Sequence, residues 1–272
     1  LMNRLVLIIS SSLRHLYFAK KINDQLKGCV VKIYIETTAD FSESHLSNKE
    51  NQNMIDIHFI QRYNSEIDFF SDASDILEEK QKLKLINKGA INNENIISEI
   101  EKINPTLILT YGCSIIRKPL LLLFEKKIIN IHLGISPYYL GAGTNFHALV
   151  NNEFQFFGYS IIYMDQGIDT GEIIHQSRAE FFDNDTPHSA GNRLIKKMVN
   201  DLIKVVLNFE SLEEHSKIIT DYKSKKFKII DSDIYKVKNL YKNFHLNLKN
   251  YIKNRDDLDQ KFPIIKQKFS SP

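Results

Sequence analysis

The chain has few of the residues and patterns that mark several common classes of protein. It contains only two cysteines and ten glycines, and Cys29 and Cys113 both lie in apolar surroundings. We therefore expect free thiols in a reducing compartment and no disulfide framework. The first apolar run is not followed by a glycine fingerprint, which argues against dinucleotide binding. His175, His188 and His215 lack the spacing of metal ligands, so no metal site is predicted.

Long apolar runs and a strong net charge are also missing. The most apolar stretch runs from Pro119 to Phe124, far short of the roughly 20 residues that span a membrane. The start of the sequence, Leu1 to Ser12, has no basic segment and no cleavage site of a secretory signal, so we expect a cytoplasmic protein without membrane attachment. A formal net charge of +3 is too small to indicate nucleic-acid binding by itself.

What the sequence does contain is the apolar patterning of an α/β fold. Leu5 to Ile9 form a continuous apolar run typical of a strand buried on both faces, and a helical pattern and a second strand follow. Strand, helix, strand is the unit of a parallel sheet, so we predict a doubly wound, mostly parallel sheet. Further strands are predicted at 55–60, 106–110, 128–131, 160–164 and 173–182, and further helices at 74–88, 94–103 and 187–206.

The composition changes after residue 208, where lysine and tyrosine become frequent and glycine disappears. We predict one catalytic domain over residues 1–208 and a small C-terminal extension over 209–272 that packs on it. The extension is expected to contain a strand at 226–230 and a helix at 234–251. Its basic tract, from Lys223 to Lys228, is interpreted as a solvated face that could meet a diphosphate.

The residues with the clearest chemical potential lie between 129 and 171. Asn130 and His132 are two apart at the end of a predicted strand, so they share one face. Asp169 lies between two glycines after the next strand, and both strand ends are expected to meet at one crevice of the sheet. An amide, an imidazole and a carboxylate are the groups that acyl transfer to an amine requires: an oxyanion donor, a proton carrier and an anion that orients it.

Each of these residues also has a purely structural interpretation. An asparagine at a strand end commonly turns the chain, and an aspartate between glycines commonly forms a turn. A single histidine is more often a structural group than a catalyst. The order and spacing of the three favour the catalytic interpretation. Arg14 and His15, which follow the first strand, are expected to be a helix-surface pair, although a substrate contact is open to them.

The segments Asn130 to His132, Pro137 to Gly141 and Asp165 to Gly171 resemble the signature of the folate-dependent formyltransferases. The resemblance implies a doubly wound fold and 10-formyltetrahydrofolate as the donor of the formyl group. It also implies that Asn130 binds the formyl oxygen, that His132 assists proton transfer and that Asp169 orients the system. A neighbouring carboxylate would favour the charged form of His132.

The same resemblance implies two sets of binding residues. The donor would lie against Tyr111, Gly112, Cys113, Ser114, Ile115, Ile116, Asp165 and Ile168. The acceptor would lie against Ser136, Tyr139, Asn145 and His147. Two positions depart from the family pattern: Leu140 stands where an arginine is common, and His147 stands where sugar-modifying members commonly have a bulky aromatic residue. Both departures concern the acceptor side.

The acceptor that the resemblance favours is a nucleotide-linked amino sugar, as in surface-polysaccharide (lipopolysaccharide) pathways. The stretch from His132 to Tyr139, the roughly sixty residues after 209 and the helical pattern of 236–263 are similar to the sugar-modifying branch. Initiator methionyl-tRNA is the alternative acceptor, and a hydrolase that delivers water to the formyl folate is a second alternative. A binding module without activity is a third. A homodimer is possible.

Overall fold

The computed structural model describes residues 4–37, 54–215, 218–228 and 234–269. Within that part of the chain the strands are β1 (Leu5–Ser10), β2 (Val30–Thr37), β3 (Leu83–Asn87), β4 (Leu107–Tyr111), β5 (Ile128–His132), β6 (Tyr139–Gly141), β7 (Gly158–Tyr163), β8 (Ile173–Arg178) and β9 (Lys225–Phe227). The helices are α1 (Leu13–Gln25), α2 (Met54–Phe69), α3 (Glu94–Ile103), α4 (Lys118–Leu123), α5 (Thr144–Val150), α6 (Pro187–Leu207) and α7 (Ile234–Lys261).

Seven strands form one sheet in the order β3-β2-β1-β4-β5-β7-β8. The first five are parallel, whereas β7 and β8 are antiparallel to their neighbours. Leu5, Leu7 and Ile9 pack with α1 and α6 on one face, and Val6 and Ile8 pack with α3 and α4 on the other. The prediction of a doubly wound, mostly parallel α/β fold is thus confirmed.

The strand order reverses between β1 and β4, and this reversal determines where a ligand can bind. From β1 the chain proceeds outward to β2 and β3, and it then returns to build β4 and β5 on the other side. The loops after β1 and β4 therefore diverge and leave a crevice outside the carboxyl ends of the strands, which is where open α/β sheets bind their ligands.

The start of α6 agrees with the sequence in detail. Thr186 accepts a hydrogen bond from the Ser189 amide at 3.0 Å, the Ser189 hydroxyl accepts one from the Thr186 amide at 2.9 Å, and Pro187 occupies the first turn. This reciprocal capping satisfies amides that have no partner inside the helix. Thr186 and Pro187 thus set the residue at which α6 begins, in agreement with the predicted start at 187.

The predicted strand at 55–60 is wrong, because this segment belongs to helix α2. The short alternation of Ile55, Ile57 and Phe59 imitates a strand, but the helical spacing extends further along the chain. Buried His58 and Glu66, eight residues apart, lie on one side of α2. The other side is open to solvent. The side of α2 that is buried carries two polar residues, and it is determined by the elements against which α2 packs. The spacing of hydrophobic residues therefore does not reveal this helix.

The predicted helix at 74–88 is also wrong over most of its length. A short 3₁₀ turn covers Ala73–Glu78, and β3 covers Leu83–Asn87. β3 is an edge strand that pairs only with β2, and Leu85 is 64% exposed. Its pattern therefore resembles neither a buried strand nor an amphipathic helix, and the pairing with β2 decides its conformation.

The remaining differences concern element boundaries near the end of the chain. β8 stops at Arg178, short of the predicted residue 182, and α7 continues to Lys261, ten residues past its predicted end. No glycine or proline interrupts α7 before Pro263, so the helix has no reason to stop earlier. β9 matches the start of the predicted strand at 226–230. Residues 229–230 of that predicted strand lie outside the described residues.

Candidate active site

Two neighbouring strands present polar side chains to one cavity. On β5, Asn130 and His132 lie on the same face, as the alternation of side chains requires. On β4, Thr110 lies opposite Asn130 and donates to its Oδ1 at 2.9 Å. Asn130 Nδ2 then donates to Asp169 Oδ1 at 3.2 Å. Since Nδ2 carries two hydrogens and no other described residue accepts from it, the second hydrogen is available to a ligand.

Asp169 reaches this face by a route that differs from the predicted one. β7 runs antiparallel to β5, with Tyr163 opposite Ile129, so the carboxyl end of β7 lies beside the amino end of β5. The two strand ends therefore do not meet. Instead the loop after β7 folds back along β5 and carries Asp169 toward His132. At Gly171 this loop approaches Tyr163 so closely that a Cβ would lie 1.7 Å from the Tyr163 carbonyl oxygen.

The loop that carries Asp169 is fixed by hydrogen bonds. Asp165 Oδ1 accepts from the Gly167 amide and from the Thr170 hydroxyl, both at 2.9 Å. The Ser136 hydroxyl donates to the Asp169 carbonyl oxygen at 3.1 Å. Asp169 itself has φ of 55°, a left-handed conformation that aspartate tolerates better than most residues. The position of its carboxylate is therefore set by the loop.

The imidazole of His132 lies between two acceptors. Its Nδ1 is 3.3 Å from Asp169 Oδ2, and its Nε2 is 2.8 Å from the Tyr139 carbonyl oxygen. A carbonyl only accepts, so Nε2 carries a hydrogen, and the charged ring would donate at both nitrogens. The Gly141 amide donates to Asp169 Oδ2 at 2.9 Å. Gly134 makes room for the ring, because a Cβ there would lie 2.5 Å from His132 Nε2.

These three side chains line a cavity of about 660 Å³, a size typical of small-molecule sites. All predicted catalytic and donor-binding residues lie on its wall: Asn130, His132, Asp169, Tyr111, Gly112, Cys113, Ser114, Ile115, Ile116, Asp165 and Ile168. Ile115 and Ile168 are 70% and 52% exposed, so the cavity has apolar groups at its rim. The geometry thus gathers residues that are up to 58 positions apart in the chain, from 111 to 169.

The residues predicted for the acceptor are less uniformly placed. Ser136 and Tyr139 are fully enclosed behind the cavity wall, where Tyr139 donates to Glu153. Asn145 lies on the wall, but its side-chain amide exchanges two 2.9 Å hydrogen bonds with the backbone of Gly158. His147 also lies on the wall. Direct contact with a ligand is therefore open to His147 and restricted for Asn145, and Ser136 and Tyr139 act from behind the wall.

The two departures from the family pattern have different surroundings. Leu140 is buried at 3% exposure and does not face the cavity. His147 stacks on Phe227, with ring centroids 4.1 Å apart and planes 8° apart. An aromatic partner from β9 thus holds the His147 ring flat against one wall of the cavity.

The loop after β4 is held by a carboxylate on β2. Glu36 is 4% exposed, and its two oxygens accept from the backbone amides of Gly89 at 2.9 Å and Ser114 at 2.6 Å. On the same loop, burial raises the pKa of the Cys113 thiol to about 12, so this thiol is not a nucleophile at neutral pH. Glu36 was not among the predicted site residues, and it fixes the loop that carries most of the predicted donor-binding residues.

Replacing Glu36 by glutamine is expected to lower the free energy of unfolding by about 1–3 kcal/mol, because the new NH₂ group faces one of the two amides and leaves that donor unpaired. Urea denaturation would measure the change. Glu101→Gln, at an exposed position on α3, is the matched control and should leave the midpoint unchanged. An equal midpoint for both variants would contradict this account of Glu36.

Positive charge collects at another part of the cavity wall. Arg14 Nη2 lies 3.2 Å from Glu66 Oε1, and Arg62 Nε lies 3.6 Å from the same oxygen. Burial and the neighbouring Arg14 lower the pKa of Arg62 only to about 10, so the Arg62 guanidinium is charged at neutral pH. Two cations therefore face one carboxylate. The expected helix-surface pair Arg14 and His15 lies instead on the cavity wall.

A group of aromatic and neutral imidazole side chains lines the same cavity as Arg14 and Arg62. His58 Nδ1 and His188 Nε2 lie 2.8 Å and 2.9 Å from the hydroxyl of Tyr241. Burial lowers the pKa of His58 to about 3 and that of His188 to about 4, so neither is charged at neutral pH. One hydroxyl hydrogen serves two imidazoles, so Tyr241 donates to one ring and accepts from the other. Phe146 packs on His58 with centroids 4.7 Å apart.

Sequence reasoning missed these groups for identifiable reasons. Arg14 follows β1 directly, and the carboxyl end of a central strand was the signal that could have placed it in the crevice. His58 lies in the segment 55–60 that was assigned to a strand, and Arg62 follows it in a stretch with no assigned element, so neither was placed on a helix face. Glu36 and Tyr241 have no local signal, because their partners are distant in the chain.

Among the described residues, no group of three or more His, Cys, Asp or Glu side chains is arranged to hold a metal ion. Cys29 and Cys113 are free thiols that are only partly buried. In the part of the chain that the structure covers, no helix combines the length and apolarity needed to cross a membrane.

A doubly wound sheet with an amide, an imidazole and a carboxylate on one cavity wall defines an α/β protein with a candidate acyl-transfer site. Residues 21–206 match the protein family described as formyl transferase, which is more than half of the chain. The chain belongs to the formyl transferase family.

Curated relatives in sequence are methionyl-tRNA formyltransferases. The protein from Finegoldia magna is 31% identical over 144 residues, which cover 49% of this chain and 44% of the relative. The protein from Halothermothrix orenii is 30% identical over 144 residues, which cover 50% of this chain and 45% of the relative. The matched part of the chain thus spans less than half the length of these relatives.

Solved structures share the fold at lower identity. A sugar N-formyltransferase from Shewanella sp. has a TM-score of 0.55 at 18% identity, with 84% of this chain and 78% of that chain covered. The phosphoribosylglycinamide formyltransferase from Streptococcus pneumoniae has a TM-score of 0.54 at 17% identity, with coverage of 77% and 99%. Both likenesses concern the arrangement of the sheet and its helices.

Proposed function

We propose that this protein transfers a formyl group from 10-formyltetrahydrofolate to the amino group of a nucleotide-linked amino sugar. The observation that carries the transfer reaction is the convergence of Asn130, His132 and Asp169 on one cavity. Membership of the formyl transferase family supports the same reaction class.

The hydrogen-bond pattern suggests how each of the three side chains acts. As the amine attacks the formyl carbon, negative charge develops on oxygen, and the unused hydrogen of Asn130 Nδ2 can bond to that oxygen. Positive charge develops on the amine at the same time. Asp169, which lies against Asn130 and His132 at 3.2 Å and 3.3 Å, supplies the compensating negative charge. The tetrahedral adduct then collapses as the bond between the formyl carbon and N10 of the folate breaks, so that the acceptor keeps the formyl group. The attacking amine loses one proton and N10 gains one as it leaves, and His132 completes this proton path once one of its two acceptors releases a nitrogen.

The donor fits the loop after β4. Tyr111 to Ile116 and Ile168 offer backbone groups and apolar side chains on the cavity wall, which suit the flat pterin ring and its polar edge. A sugar 3N-formyltransferase with TM-score 0.53 and 16% identity was solved with 5-N-formyl-THF. The donor class proposed here is a formyl folate of that kind.

The positively charged corner favours an acceptor with phosphate groups. Among the described residues, Glu66 is the one carboxylate that pairs with Arg14 and with Arg62, so one positive charge is left for a ligand. Arginine binds phosphate oxygens with strong, charge-assisted hydrogen bonds. Phe59 and Phe146 on the same wall offer surfaces on which a base can stack. The diphosphate of a nucleotide-linked sugar would satisfy this corner.

Arg62→Met is expected to raise the KM for the nucleotide-linked acceptor about ten- to hundred-fold, since a hydrogen bond to a charged group contributes about 1.5–3 kcal/mol. The KM for the folate donor should stay unchanged. Steady-state kinetics with each substrate varied in turn would measure both. Arg255→Met, at a half-exposed position paired with Asp256, is the matched control. An unchanged acceptor KM in Arg62→Met would remove this corner from the acceptor site.

Initiator methionyl-tRNA is the second candidate acceptor, and the curated relatives favour it, because methionyl-tRNA formyltransferases match half of this chain at about 30% identity. Transfer to tRNA would use phosphate contacts over a larger surface, and its rate would fall steeply with salt. Arg14 and Arg62 lie on the wall of a cavity of about 660 Å³, a volume that suits a small diphosphate ligand.

A panel assay separates the proposed function from its alternatives. The protein is incubated with 10-formyltetrahydrofolate and either a set of nucleotide-linked amino sugars, charged initiator tRNA or no acceptor, and mass spectrometry detects the gain of one formyl group. Transfer to a sugar supports the proposal. Transfer only to tRNA would reassign the acceptor, and formate release at full rate without acceptor would identify a hydrolase.

A further inference from the structure

The three-residue strand β6 holds two of the proposed catalytic side chains by its backbone. The Tyr139 carbonyl oxygen lies 2.8 Å from His132 Nε2, and the Gly141 amide donates to Asp169 Oδ2 at 2.9 Å. His132 comes from β5 and Asp169 from the loop after β7, so β6 is the element that they share. A shift of β6 would therefore move the imidazole and the carboxylate relative to each other.

β6 is in turn held by β9, which lies more than eighty residues later in the chain. The Lys225 amide donates to the Tyr138 carbonyl at 2.8 Å, and the Ala142 amide donates to the Phe227 carbonyl at 3.0 Å. These bonds lie on either side of Tyr139–Gly141. The two strands are in close contact, because a Cβ on Gly141 would lie 2.2 Å from the Phe227 carbonyl oxygen. Gly141 also has φ of 93°, which favours glycine.

Side chains anchor β9 at the same place. Glu153 accepts from Lys225 Nζ at 2.6 Å, from the Tyr222 hydroxyl at 2.8 Å and from the hydroxyl of Tyr139. The Phe227 ring stacks against Tyr139 with centroids 5.2 Å apart. The Glu153 carboxylate thus joins Tyr139 of β6 to Tyr222 and Lys225. Side-chain contacts therefore hold β9 against β6 in addition to the backbone hydrogen bonds.

We propose that β9 is a positioning element for the formyl transfer proposed above, on which this inference rests. By pairing with β6, β9 keeps the Tyr139 carbonyl and the Gly141 amide at the distances that hold His132 and Asp169 in register. β9 belongs to the segment after residue 208. Through β9 this segment therefore contributes to the rate of the reaction, although β9 itself does not contact the substrate. Misplacement of a reacting group by about 1 Å costs up to 100-fold in rate.

The test uses proline to remove one inter-strand hydrogen bond. Lys225→Pro deletes the amide that donates to Tyr138. Lys226→Pro is the matched control, because Lys226 lies between the two bonded residues and its amide points away from β6. Lys225→Ala separates the loss of the backbone bond from the loss of the ion pair with Glu153. Each variant is made in the full chain, and formyl transfer is measured with both substrates varied.

We expect kcat to fall about 10- to 100-fold in Lys225→Pro. The kcat of Lys225→Pro should be well below the kcat of Lys225→Ala and of Lys226→Pro. The KM for the folate donor should change less than about two-fold. Equal kcat values for Lys225→Pro and either control would overturn the inference. A wild-type protein that transfers no formyl group in the panel assay would instead refute the proposed function, so the two failures are distinguishable.

Amide hydrogen exchange on the wild type tests the same coupling without any variant. If β9 holds β6, the amides of Gly141, Ala142 and Lys225 should exchange with the same opening free energy, as members of one cooperative unit. Lys225 exchanging much more easily than Gly141 would mean that the strands open independently, and the inference would be wrong whatever the variants do.

Discussion

Asn130→Ala is expected to lower kcat for formyl transfer about 100- to 1,000-fold, because it removes the amide hydrogen that we propose bonds to the developing oxyanion. Steady-state kinetics with a saturating folate donor would measure the loss. The KM for the donor should change little, since the ground-state carbonyl needs the bond less than the transition state does.

Two further variants sharpen this test. Thr110→Val keeps the shape of the side chain but removes the hydroxyl that orients the Asn130 amide through a 2.9 Å bond, so an intermediate loss is expected. Asn254→Ala removes an exposed amide on α7 and should leave kcat unchanged. If Asn130→Ala behaved like Asn254→Ala, the site would be a binding module without the proposed chemistry.

Asp169→Asn is expected to lower kcat by about 100- to 10,000-fold, the range that removal of a proton-transfer partner commonly gives. The substitution conserves size and tolerates the left-handed backbone at this position. It removes the negative charge beside His132, and its NH₂ group must face a donor, either Asn130 Nδ2 or the Gly141 amide. The orientation of all three side chains should therefore be lost together with the charge.

The pH profile separates this electrostatic effect from simple misfolding. The dependence of kcat/KM on pH reports the essential acid and base of a free enzyme, and we expect Asp169→Asn to alter the wild-type profile as well as lower its height. Asp183→Asn, at an exposed position before α6, is the control. An Asp169→Asn enzyme with an unaltered profile and unaltered kcat would show that the carboxylate has no part in the reaction.

The fold was predictable where burial on both faces leaves a continuous apolar run. Strands β1, β4 and β5 follow this rule, whereas helices α3 and α6 were predicted from the helical spacing of their apolar residues; all five element types agree with the prediction. The predictions for β3 and α2 were wrong for one shared reason. Each has a large exposed side, and each depends on a partner, β2 or the neighbouring helices, that local sequence does not reveal.

The candidate site divides in the same way. Asn130 and His132 could be placed on one face from their spacing alone. The meeting of strand ends predicted for Asp169 is wrong, because β7 is antiparallel to β5 and a loop brings the carboxylate back. The supporting residues could not be found, because Thr110, Glu36 and the backbone of β6 act through partners elsewhere in the chain. Hydrogen bonds to a distant backbone leave no periodic trace in a sequence.

The sequence by itself determined the class of the fold, the face shared by the amide and the imidazole, and the identity of the groups available for chemistry, since these follow from burial, alternation and residue type. Only the tertiary structure decided how the carboxylate reaches that face, which cations border the cavity and that β9 braces the strand holding His132 and Asp169. The physical reason is that such contacts join segments far apart along the chain, and their geometry exists only once the sheet has formed.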